Sequence, residues 1–287
     1  MTTPTQGETY NMQQKSILIT GSSSGIGYCA AVGLKKRGWR VFASCRKSED
    51  CARLIAAGFE SPRIDYADTA TITAGLDEVL EATGGTLDAV FNNGAYGVPG
   101  AVEDLPTDAL RAIFETNFFG WHELNRQILP VMRAQGHGRI VQCSSVLGFV
   151  SLPWRGAYNA TKHALEGLTD TLRLEMRDTP IDVILIEPGP ITSHIRRNSI
   201  VHFEKWINWE GSPRADQYRS QLRKRLYTDS GPDKFELPPE AVLTKLVHAI
   251  ENPNPRPRYF VTFPTYLMAI LRRILPTRAL DWFLTRG

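Results

Sequence analysis

Short apolar runs alternate along the chain with stretches in which apolar residues recur at helical spacing. The runs are short, rich in β-branched residues and bounded by turn residues, so they predict strands at 16–20, 40–45, 63–66, 87–93, 139–144, 181–187 and 258–263. The amphipathic stretches predict helices at 25–37, 49–57, 69–82, 106–133, 156–178 and 238–250, with Ser48 capping the second and a break in the fourth near Gly120. This alternation predicts an α/β fold, a doubly wound parallel sheet of about seven strands with helices on both faces.

The alternation ends after Gly189. Residues 190–237 are polar and aromatic without a strand pattern, and residues 264–284 mix apolar residues with arginines at helical spacing. We therefore predict a flexible N-terminal tail (1–14), a single α/β domain (15–263) with an irregular insertion at 190–237, and a C-terminal amphipathic appendage (264–287).

Composition excludes several classes of protein. With 42% hydrophobic residues among 287, the chain is neither disordered nor collagen-like, and a net charge of +3 is too small to indicate nucleic-acid binding. The four cysteines form no CxxC pair and the histidines show no metal-ligand spacing, so we predict buried thiols and no metal site. The polar N-terminus resembles no signal peptide and no apolar run is long enough to span a bilayer, so we expect a cytoplasmic protein.

Positive charge is concentrated at the C-terminal end, where residues 251–287 hold six arginines and two acids, a local net charge of +4. Three interpretations fit an amphipathic segment of this kind. It lies on an anionic membrane surface at the cytoplasmic face, it covers the substrate pocket of its own domain, or it contacts a neighbouring subunit.

A glycine-rich turn directly follows the first strand and reads Thr20-Gly21-Ser22-Ser23-Ser24-Gly25-Ile26-Gly27. Gly21 can turn with a positive φ, Gly25 lets backbone approach a pyrophosphate, and Gly27 allows the helix to pack closely on the strand. The free N–H groups of that helix would face the phosphates. The strand, loop and helix together predict a dinucleotide site, with a plain turn as the alternative.

The residues after the second strand indicate which dinucleotide binds. An acid about 20 residues beyond the first glycine usually accepts the free ribose 2′-hydroxyl of NAD. This chain has Ser44-Cys45-Arg46-Lys47 at that place. Because the forked cation of Arg46 suits a 2′-phosphate, we predict NADP(H) with Arg46 and Lys47 as ligands. The alternative is that both are solvated charges.

Tyr158 and Lys162 lie four residues apart on one helical face, just after the fifth predicted strand. Reacting groups gather at the carboxyl ends of strands in such sheets. A fixed ammonium, together with the positive ring of the oxidised cofactor, lowers the pKa of a nearby phenol, so the pair predicts proton transfer by Tyr158. Ser145 would hold a carbonyl oxygen as charge develops during hydride transfer. Ser144 is the alternative, and the 13-residue spacing to Tyr158 favours Ser145.

Taken together, these features resemble the short-chain dehydrogenase/reductase family, which has a Rossmann-like fold, over residues 16–263. The resemblance rests on the TGxxxGxG loop (20–27), Asp65, Asn92-Asn93, Asn117 in ETNFFG, Ser145, the YxxxK motif and Pro188-Gly189. One departure is Asn92-Asn93-Gly94-Ala95, where the family usually has NNAG, so the backbone path there is an open question.

The resemblance implies roles for single residues. Tyr158 would be the general acid/base, and Ser145 would orient the carbonyl. Lys162 would contact the nicotinamide ribose and tune Tyr158, while Asn117 would hold a water in a proton relay. The cofactor would be contacted by Gly21, Ser23, Ser24, Gly25, Ile26, Gly27, Arg46, Lys47, Asp65 at the adenine, Asn92 at the adenosine ribose, Gly94, Tyr158, Lys162, and Pro188, Gly189 and Thr192 at the nicotinamide end. A homodimer or homotetramer is also implied.

The insertion at 190–237 would act as a substrate lid, and its apolar and aromatic side chains suggest an apolar substrate. We expect the pocket to be lined by Tyr96, Leu147, Trp154, Phe203 and Trp206. The alternative is that the lid side chains only anchor the lid or contact a subunit.

The predicted function is NADPH-dependent reduction of a small apolar aldehyde or ketone with Tyr158 as the general acid. The chain resembles bacterial aldehyde reductases related to retinol and 17β-hydroxysteroid dehydrogenases. One alternative is an NADP-dependent alcohol dehydrogenase that oxidises a retinoid or hydroxysteroid. The other is a non-catalytic NADP(H)-binding regulator.

Overall fold

The structure, a computed structural model, describes residues 14–228 and 231–286. Its strands are β1 (Ser16–Ile19), β2 (Arg40–Ala43), β3 (Ala89–Asn92), β4 (Gly138–Cys143), β5 (Ile181–Glu187) and β6 (Arg258–Phe260). Its helices are α1 (Gly25–Lys36), α2 (Ser48–Ala56), α3 (Thr69–Thr83), α4 (Thr107–Phe114), α5 (Gly120–Gln135), α6 (Gly156–Glu175), α7 (Ile195–Trp206), α8 (Ala215–Gln217), α9 (Lys224–Tyr227), α10 (Glu240–Glu251), α11 (Phe263–Ile274) and α12 (Thr277–Arg286). Almost all of the predicted N-terminal tail lies outside the described residues.

The strands form one parallel sheet in the order β2-β1-β3-β4-β5-β6. Every residue of β1 and β3 is buried, because helices cover both faces of the sheet, with α1 against α10 and α3 against α5. This double burial explains why the strands have continuously apolar sequences. The strand order reverses between β1 and β3, and a crevice opens there at the carboxyl ends of the strands. The predicted doubly wound α/β fold is confirmed.

The predicted strand at 63–66 is wrong, so the described sheet has six strands rather than about seven. The chain makes only isolated bridges to the sheet here, at Glu60 and Arg63. Pro62 lies between these two positions and has no N–H to donate to a ladder. The N–H of Asp65 bonds to a side-chain hydroxyl instead of a strand. A continuous row of strand hydrogen bonds therefore does not form.

The long helix predicted at 106–133 runs through α4 and α5 without the break predicted near Gly120. A π-helical segment, Glu115–Phe119, joins the two helices. Segments of this kind occur often at functional sites, because the extra residue re-aims the side chains on the helix. A smaller correction concerns Ser48, which is the first residue of α2 and does not cap it.

Within its described residues, the insertion at 190–237 contains helical segments as well as loops: α7, a π-helical turn (Tyr218–Arg223) and the short α8 and α9. The helix α7 buries only Ser199 and Phe203, one turn apart, and this small buried face explains why no helical pattern was evident in the sequence. The insertion packs on α4 and α6 in a second apolar cluster, built from Val98, Ala109, Ile113, Ala157, Phe203, Ile207, Tyr218, Leu222 and Leu226.

The C-terminal appendage consists of two helices, α11 and α12, separated at Leu275 and Pro276. The first packs near the turn that follows β4. The second lies beside the loop that leads into α6, where a cavity is lined by Leu152, Trp154, Asp281 and Leu284, among others. Among the described residues, no helix combines the length and apolar character needed to cross a membrane.

Candidate active site

The glycine loop connects β1 to α1 at the mouth of the crevice. Gly21 has a φ of 66° and Gly25 a φ of 56°, conformations that glycine adopts without steric cost. A Cβ on Gly27 would lie 2.4 Å from the carbonyl oxygen of Gly21, so α1 packs as closely as the sequence predicts. Half-buried residues along the loop are Ser23, Ser24 and Ile26. No side chain caps α1, which leaves its first N–H groups available to an anion.

Thr20 ties the glycine loop to the end of β3. Its hydroxyl accepts the N–H of Asn93 at 2.9 Å and the hydroxyl of Tyr66 donates to it at 2.8 Å. A Cβ on Gly94 would meet its nearest neighbours at 3.4 Å, which is ordinary contact. An alanine, the residue usual at this position in the resembled family, would therefore fit, so the Gly94 departure leaves this backbone path unchanged.

The two residues predicted to contact the adenosine end of the cofactor, Asp65 and Asn92, differ in burial and in their hydrogen bonds. Asp65 is half-buried beside the crevice, and its carboxylate accepts the N–H of Ala67 at 3.1 Å. Asn92 is fully buried and its amide donates to the side chain of Asn125 at 2.9 Å. The Asn92 side chain thus bonds within the core, while its predicted contact with the ribose stays a prediction.

Arg46 and Lys47 follow β2 and are exposed. Neither side chain bonds to another described residue. Burial raises the pKa of Tyr96, and the positive charge of Arg46 opposes that rise, so Arg46 lies on the crevice side of the sheet. The contact of both cations with the 2′-phosphate of NADP stays a prediction.

Ser145 and Tyr158 meet at the carboxyl end of β4. The Ser145 hydroxyl accepts the N–H of Leu147 at 3.1 Å and donates to the carbonyl oxygen of Pro188 at 3.4 Å. Burial raises the pKa of Tyr158, and the hydrogen bond with Ser145 and the charge of Arg155 only partly oppose that rise. The Tyr158 phenol is therefore protonated at neutral pH.

Lys162 lies beneath Tyr158 and is 1% exposed. Its Nζ donates to the carbonyl oxygen of Cys143 at 2.7 Å and lies 4.2 Å from the centre of the Trp121 ring. Burial lowers the pKa of this ammonium to about 8. The ammonium is 5.6 Å from the centre of the Tyr158 ring. Burial raises the pKa of the phenol in this structure, and the lowering expected from Lys162 together with an oxidised cofactor stays a prediction.

The structure separates the two candidate serines. Ser144 is buried, and its hydroxyl bonds to no described group. A Cβ on Gly148 would lie 2.6 Å from that hydroxyl and 2.9 Å from Oε1 of Glu166, so Ser144 points into the protein below α6. Ser145 is the serine that faces Tyr158, as the spacing predicts.

Asn117 occupies the middle of the π-helical segment and is fully buried. Its amide donates to the carbonyl oxygen of Tyr96 at 2.8 Å, and its side-chain oxygen accepts the N–H of Tyr96 at 3.1 Å. It also lies 3.4 Å from the Thr161 hydroxyl on α6. The side chain thus holds the loop after β3 against the catalytic helix, and its part in a water relay stays a prediction.

The lid helix α7 closes over the crevice. A Cβ on Gly25 would lie 3.4 Å from Cβ of Ser193, and the Tyr96 ring stacks on His202 at 3.9 Å. A Cβ on Gly189 would lie 2.1 Å from the Thr262 hydroxyl, so only glycine fits there. Thr192 is exposed and donates to the carboxylate of Glu236 at 2.7 Å. The lid therefore contacts the loop after β3 and lies close to the glycine loop.

The residues predicted to line the pocket divide into two groups. Tyr96, Leu147, Trp154 and Trp206 are partly buried around the crevice and lid. Trp154 has a φ of 66°, and its ring lies 4.8 Å from that of Tyr218. Phe203 is only 1% exposed and packs in the second apolar cluster, so it anchors the lid.

Two residues near Lys162 and Tyr158 were not identified from the sequence as part of the site. Trp121 is fully buried, donates to the carbonyl oxygen of Gly94 at 3.0 Å and forms one wall of the Lys162 site. Its place one helical turn after Asn117 is the signal that could have found it. Arg155 precedes Tyr158 by three residues and places a positive charge near its phenol. The sequence carries no signal that this charge lies inside the crevice.

Hydride transfer to a carbonyl requires a dinucleotide beside a proton donor, and this crevice provides for both. The fold and the site therefore define an oxidoreductase that uses a nicotinamide cofactor. Residues 15–202 match the short chain dehydrogenase family, and the chain belongs to that family.

The chain aligns with its relatives over nearly its whole length. It is 39% identical to the uncharacterized oxidoreductase YbbO of Escherichia coli, over 95% of each chain. It is 29% identical to an NADPH-dependent 3-dehydrocapnine reductase of Ornithobacterium rhinotracheale, over 92% of this chain and 94% of the relative. A Burkholderia phymatum short chain dehydrogenase/reductase, solved in complex with NAD, is 27% identical with a TM-score of 0.74 over 97% of both chains. Family members bind either nucleotide, so the residues of this chain, rather than its family, determine whether it binds NAD or NADP.

Proposed function

We propose that the protein is an NADPH-dependent reductase of small apolar aldehydes or ketones. The observation that carries the proposal is the arrangement of Tyr158, Ser145 and Lys162 at the carboxyl end of β4, with the phenol protonated at neutral pH. Reduction needs this form, because the oxygen that receives negative charge must take up a proton. The apolar residues around the lid support an apolar substrate.

The chain's own residues then have distinct roles. When bound, the cofactor supplies hydride to the carbonyl carbon. The Ser145 hydroxyl donates to the carbonyl oxygen and stabilises its developing charge. Tyr158 gives its phenolic proton to that oxygen, and the Lys162 ammonium stabilises the resulting phenolate. Asn117 is proposed to hold the water through which the proton is replaced.

The preference for NADP is supported by the charges beyond β2. A 2′-phosphate requires cations that other groups do not already neutralise, and Arg46 and Lys47 meet this requirement among the described residues. The uncapped N–H groups at the start of α1 suit the pyrophosphate. The residues present therefore fit NADP(H).

Replacing Tyr158 by Phe tests the proposed reaction. We expect Tyr158→Phe to lower kcat by about a hundred- to ten-thousandfold, since it removes the general acid. NADPH affinity should change little. The measurement is NADPH oxidation with aldehydes and ketones of increasing apolar length, together with NADPH binding followed by fluorescence.

The adjacent serines supply a matched control pair. Ser145→Ala should lose most of the activity, whereas Ser144→Ala should keep it, because only Ser145 faces Tyr158. Full turnover by Tyr158→Phe, or loss in Ser144→Ala alone, would contradict the proposed roles.

The reverse reaction, oxidation of an alcohol, would use the same residues with the phenolate as base. Reduction is proposed because a preference for NADP favours carbonyl reduction in a reducing cytosol. A homodimer or homotetramer, and contact of the C-terminal helices with a membrane at the cytoplasmic face, remain predictions about its partners.

A further inference from the structure

The lid packs directly on the backbone of the loop after β3, at residues 96–100. A Cβ on Gly97 would lie 3.3 Å from the Ser199 hydroxyl oxygen, and a Cβ on Gly100 would lie 2.9 Å from Cδ1 of Ile207. Ser199 and Ile207 are both buried. Because the two glycines place no side chain between loop and lid, the position of the lid and the path of this loop depend on each other.

One contact along this loop joins two aromatic side chains. His202 on α7 stacks on Tyr96, with 3.9 Å between the ring centres and an angle of 18° between the ring planes. Burial lowers the pKa of His202, so its ring is uncharged at neutral pH. The contact is therefore a stack of two neutral rings, which stabilises the packing of the lid on the loop.

The backbone of Tyr96 is bonded twice to a single side chain on its other side. The side-chain oxygen of Asn117 accepts the N–H of Tyr96 at 3.1 Å, and the Asn117 amide donates to the carbonyl oxygen of Tyr96 at 2.8 Å. The same amide lies 3.4 Å from the Thr161 hydroxyl on α6. Tyr96 thus lies between the lid and the residue that we propose holds the water of the proton relay.

We propose that His202 is a positioning residue, which holds Asn117 in its working orientation through Tyr96. With α7 on the loop, the stack fixes Tyr96, and both of its hydrogen bonds to Asn117 form. With α7 lifted, Tyr96 loses this support and no longer orients the Asn117 side chain. The inference rests on the proposed function and adds that the proton relay is complete only beneath the lid.

Two substitutions of His202 separate stacking from proton chemistry. His202→Ala removes the ring, so kcat should fall about three- to tenfold, the effect of losing one aromatic pair, with a smaller change in the KM for NADPH. His202→Phe keeps a planar ring and should restore kcat nearly to that of the unmodified enzyme. Equal losses of kcat in both variants, or a loss confined to the KM for NADPH, would overturn the inference.

Val201 provides the control, since it precedes His202 on α7 and is 65% exposed. Val201→Ala should keep the kcat of the unmodified enzyme. In a Tyr96→Leu background, His202→Ala should have no further effect on kcat, because the stack is already lost. A further loss of full size in that background would show that His202 does not act through Tyr96.

Hydrogen exchange tests the inference without turnover. Mass spectrometry of the full chain follows the peptide that contains the Tyr96 amide, whose N–H donates to Asn117. We expect this peptide to exchange about threefold faster or more in His202→Ala and at the unmodified rate in His202→Phe. If no carbonyl compound is reduced, the proposed function fails, and exchange still decides whether His202 holds Tyr96 on Asn117. Unchanged exchange in His202→Ala would refute that role.

Discussion

Two cations at the crevice differ in exposure, because Lys162 is buried and Arg46 is exposed. Lys162 is enclosed by the Trp121 ring and the Cys143 carbonyl, so its charge is costly and its pKa falls to about 8. Arg46 is exposed to solvent and its side chain has no hydrogen-bond partner among the described residues. We expect the first cation to make the reaction sensitive to pH and propose that the second selects the nucleotide.

The lowered pKa of Lys162 predicts how activity depends on pH. Below pH about 8 the ammonium stabilises the phenolate of Tyr158, and above it the neutral amine does not. The Tyr158 phenol stays protonated throughout this range because its own pKa is raised. Reduction should therefore be constant at neutral pH and decline above pH about 8, as measured by kcat/KM at saturating NADPH. In Lys162→Arg the decline should move to higher pH, and a flat profile in the unmodified enzyme would contradict this account.

Arg46 predicts the nucleotide preference. Replacing it by alanine removes a charged hydrogen-bonding partner of the 2′-phosphate, so NADPH affinity should fall by about ten- to hundredfold. NADH affinity should be nearly unchanged, because NADH has no phosphate there. Dissociation constants for both nucleotides measure the effect. An Arg46→Ala enzyme that still prefers NADPH would show that the preference has another source.

For single residues, the sequence predicted which side chains lie together better than it predicted their burial and the charges around them. The spacing of Ser145, Tyr158 and Lys162 indicated which groups would meet, because helix and strand geometry is local. It did not indicate that burial raises the pKa of Tyr158 or that the positive charge of Arg155 acts on this phenol. The burial of Tyr158 depends on residues distant in sequence, including those of the lid.

Three elements, β5, β6 and α6, meet at a buried group of charges. Arg258 on β6 donates to Glu187 on β5 and to Glu166 and Asp170 on α6. Glu187 is fully buried, and burial and the nearby Glu166 raise its pKa. Arg258 is thus the cation that holds the last strand to the catalytic helix.

Arg258→Leu should destabilise the fold by about 3 kcal/mol, because it leaves buried carboxylates without their cation. Urea denaturation followed by circular dichroism measures the free energy of unfolding. Arg256→Leu, at an exposed arginine two residues earlier, is the control and should change stability little. Adding Glu187→Gln to Arg258→Leu should recover part of the loss. An unchanged midpoint in Arg258→Leu would show that the pairing is not stabilising.

Predicted strands were confirmed where helices cover an apolar run on both faces of the sheet. Predicted helices were confirmed where the amphipathic pattern is long. The strand at 63–66 was wrong, since Pro62 interrupts its hydrogen bonds. The π-helical segment that carries Asn117 was not predicted, because a shift in backbone pairing leaves the side-chain pattern almost unchanged. The lid helices were not predicted either, as they bury few residues each.

For the molecule as a whole, the C-terminal helices expose an apolar surface beside basic charge. We call this the C-terminal surface, and its exposed residues are Phe263, Tyr266, Ile270, Ile274, Trp282 and Phe283. Arg272, Arg273 and Arg278 lie on the same two helices. Apolar side chains flanked by arginines match the chemistry of an anionic membrane surface.

We therefore expect the full chain to co-sediment with vesicles that contain phosphatidylglycerol and much less with phosphatidylcholine alone. Ile270→Glu should weaken this binding. Ile55→Glu on α2 is the matched control, because both isoleucines are 58% exposed. Size-exclusion chromatography with light scattering runs in parallel. If Ile270→Glu dissociates an oligomer and vesicles bind neither protein, the C-terminal surface is a subunit contact and the membrane prediction is wrong.

The lid contact with the glycine loop has a consequence for turnover. Because Ser193 lies near Gly25 and His202 stacks on Tyr96, a nucleotide seated on the glycine loop would lie beneath the lid. We therefore expect the lid to move when the nucleotide exchanges. This arrangement predicts an ordered kinetic scheme, in which the nucleotide enters first and departs last, and product-inhibition kinetics test it.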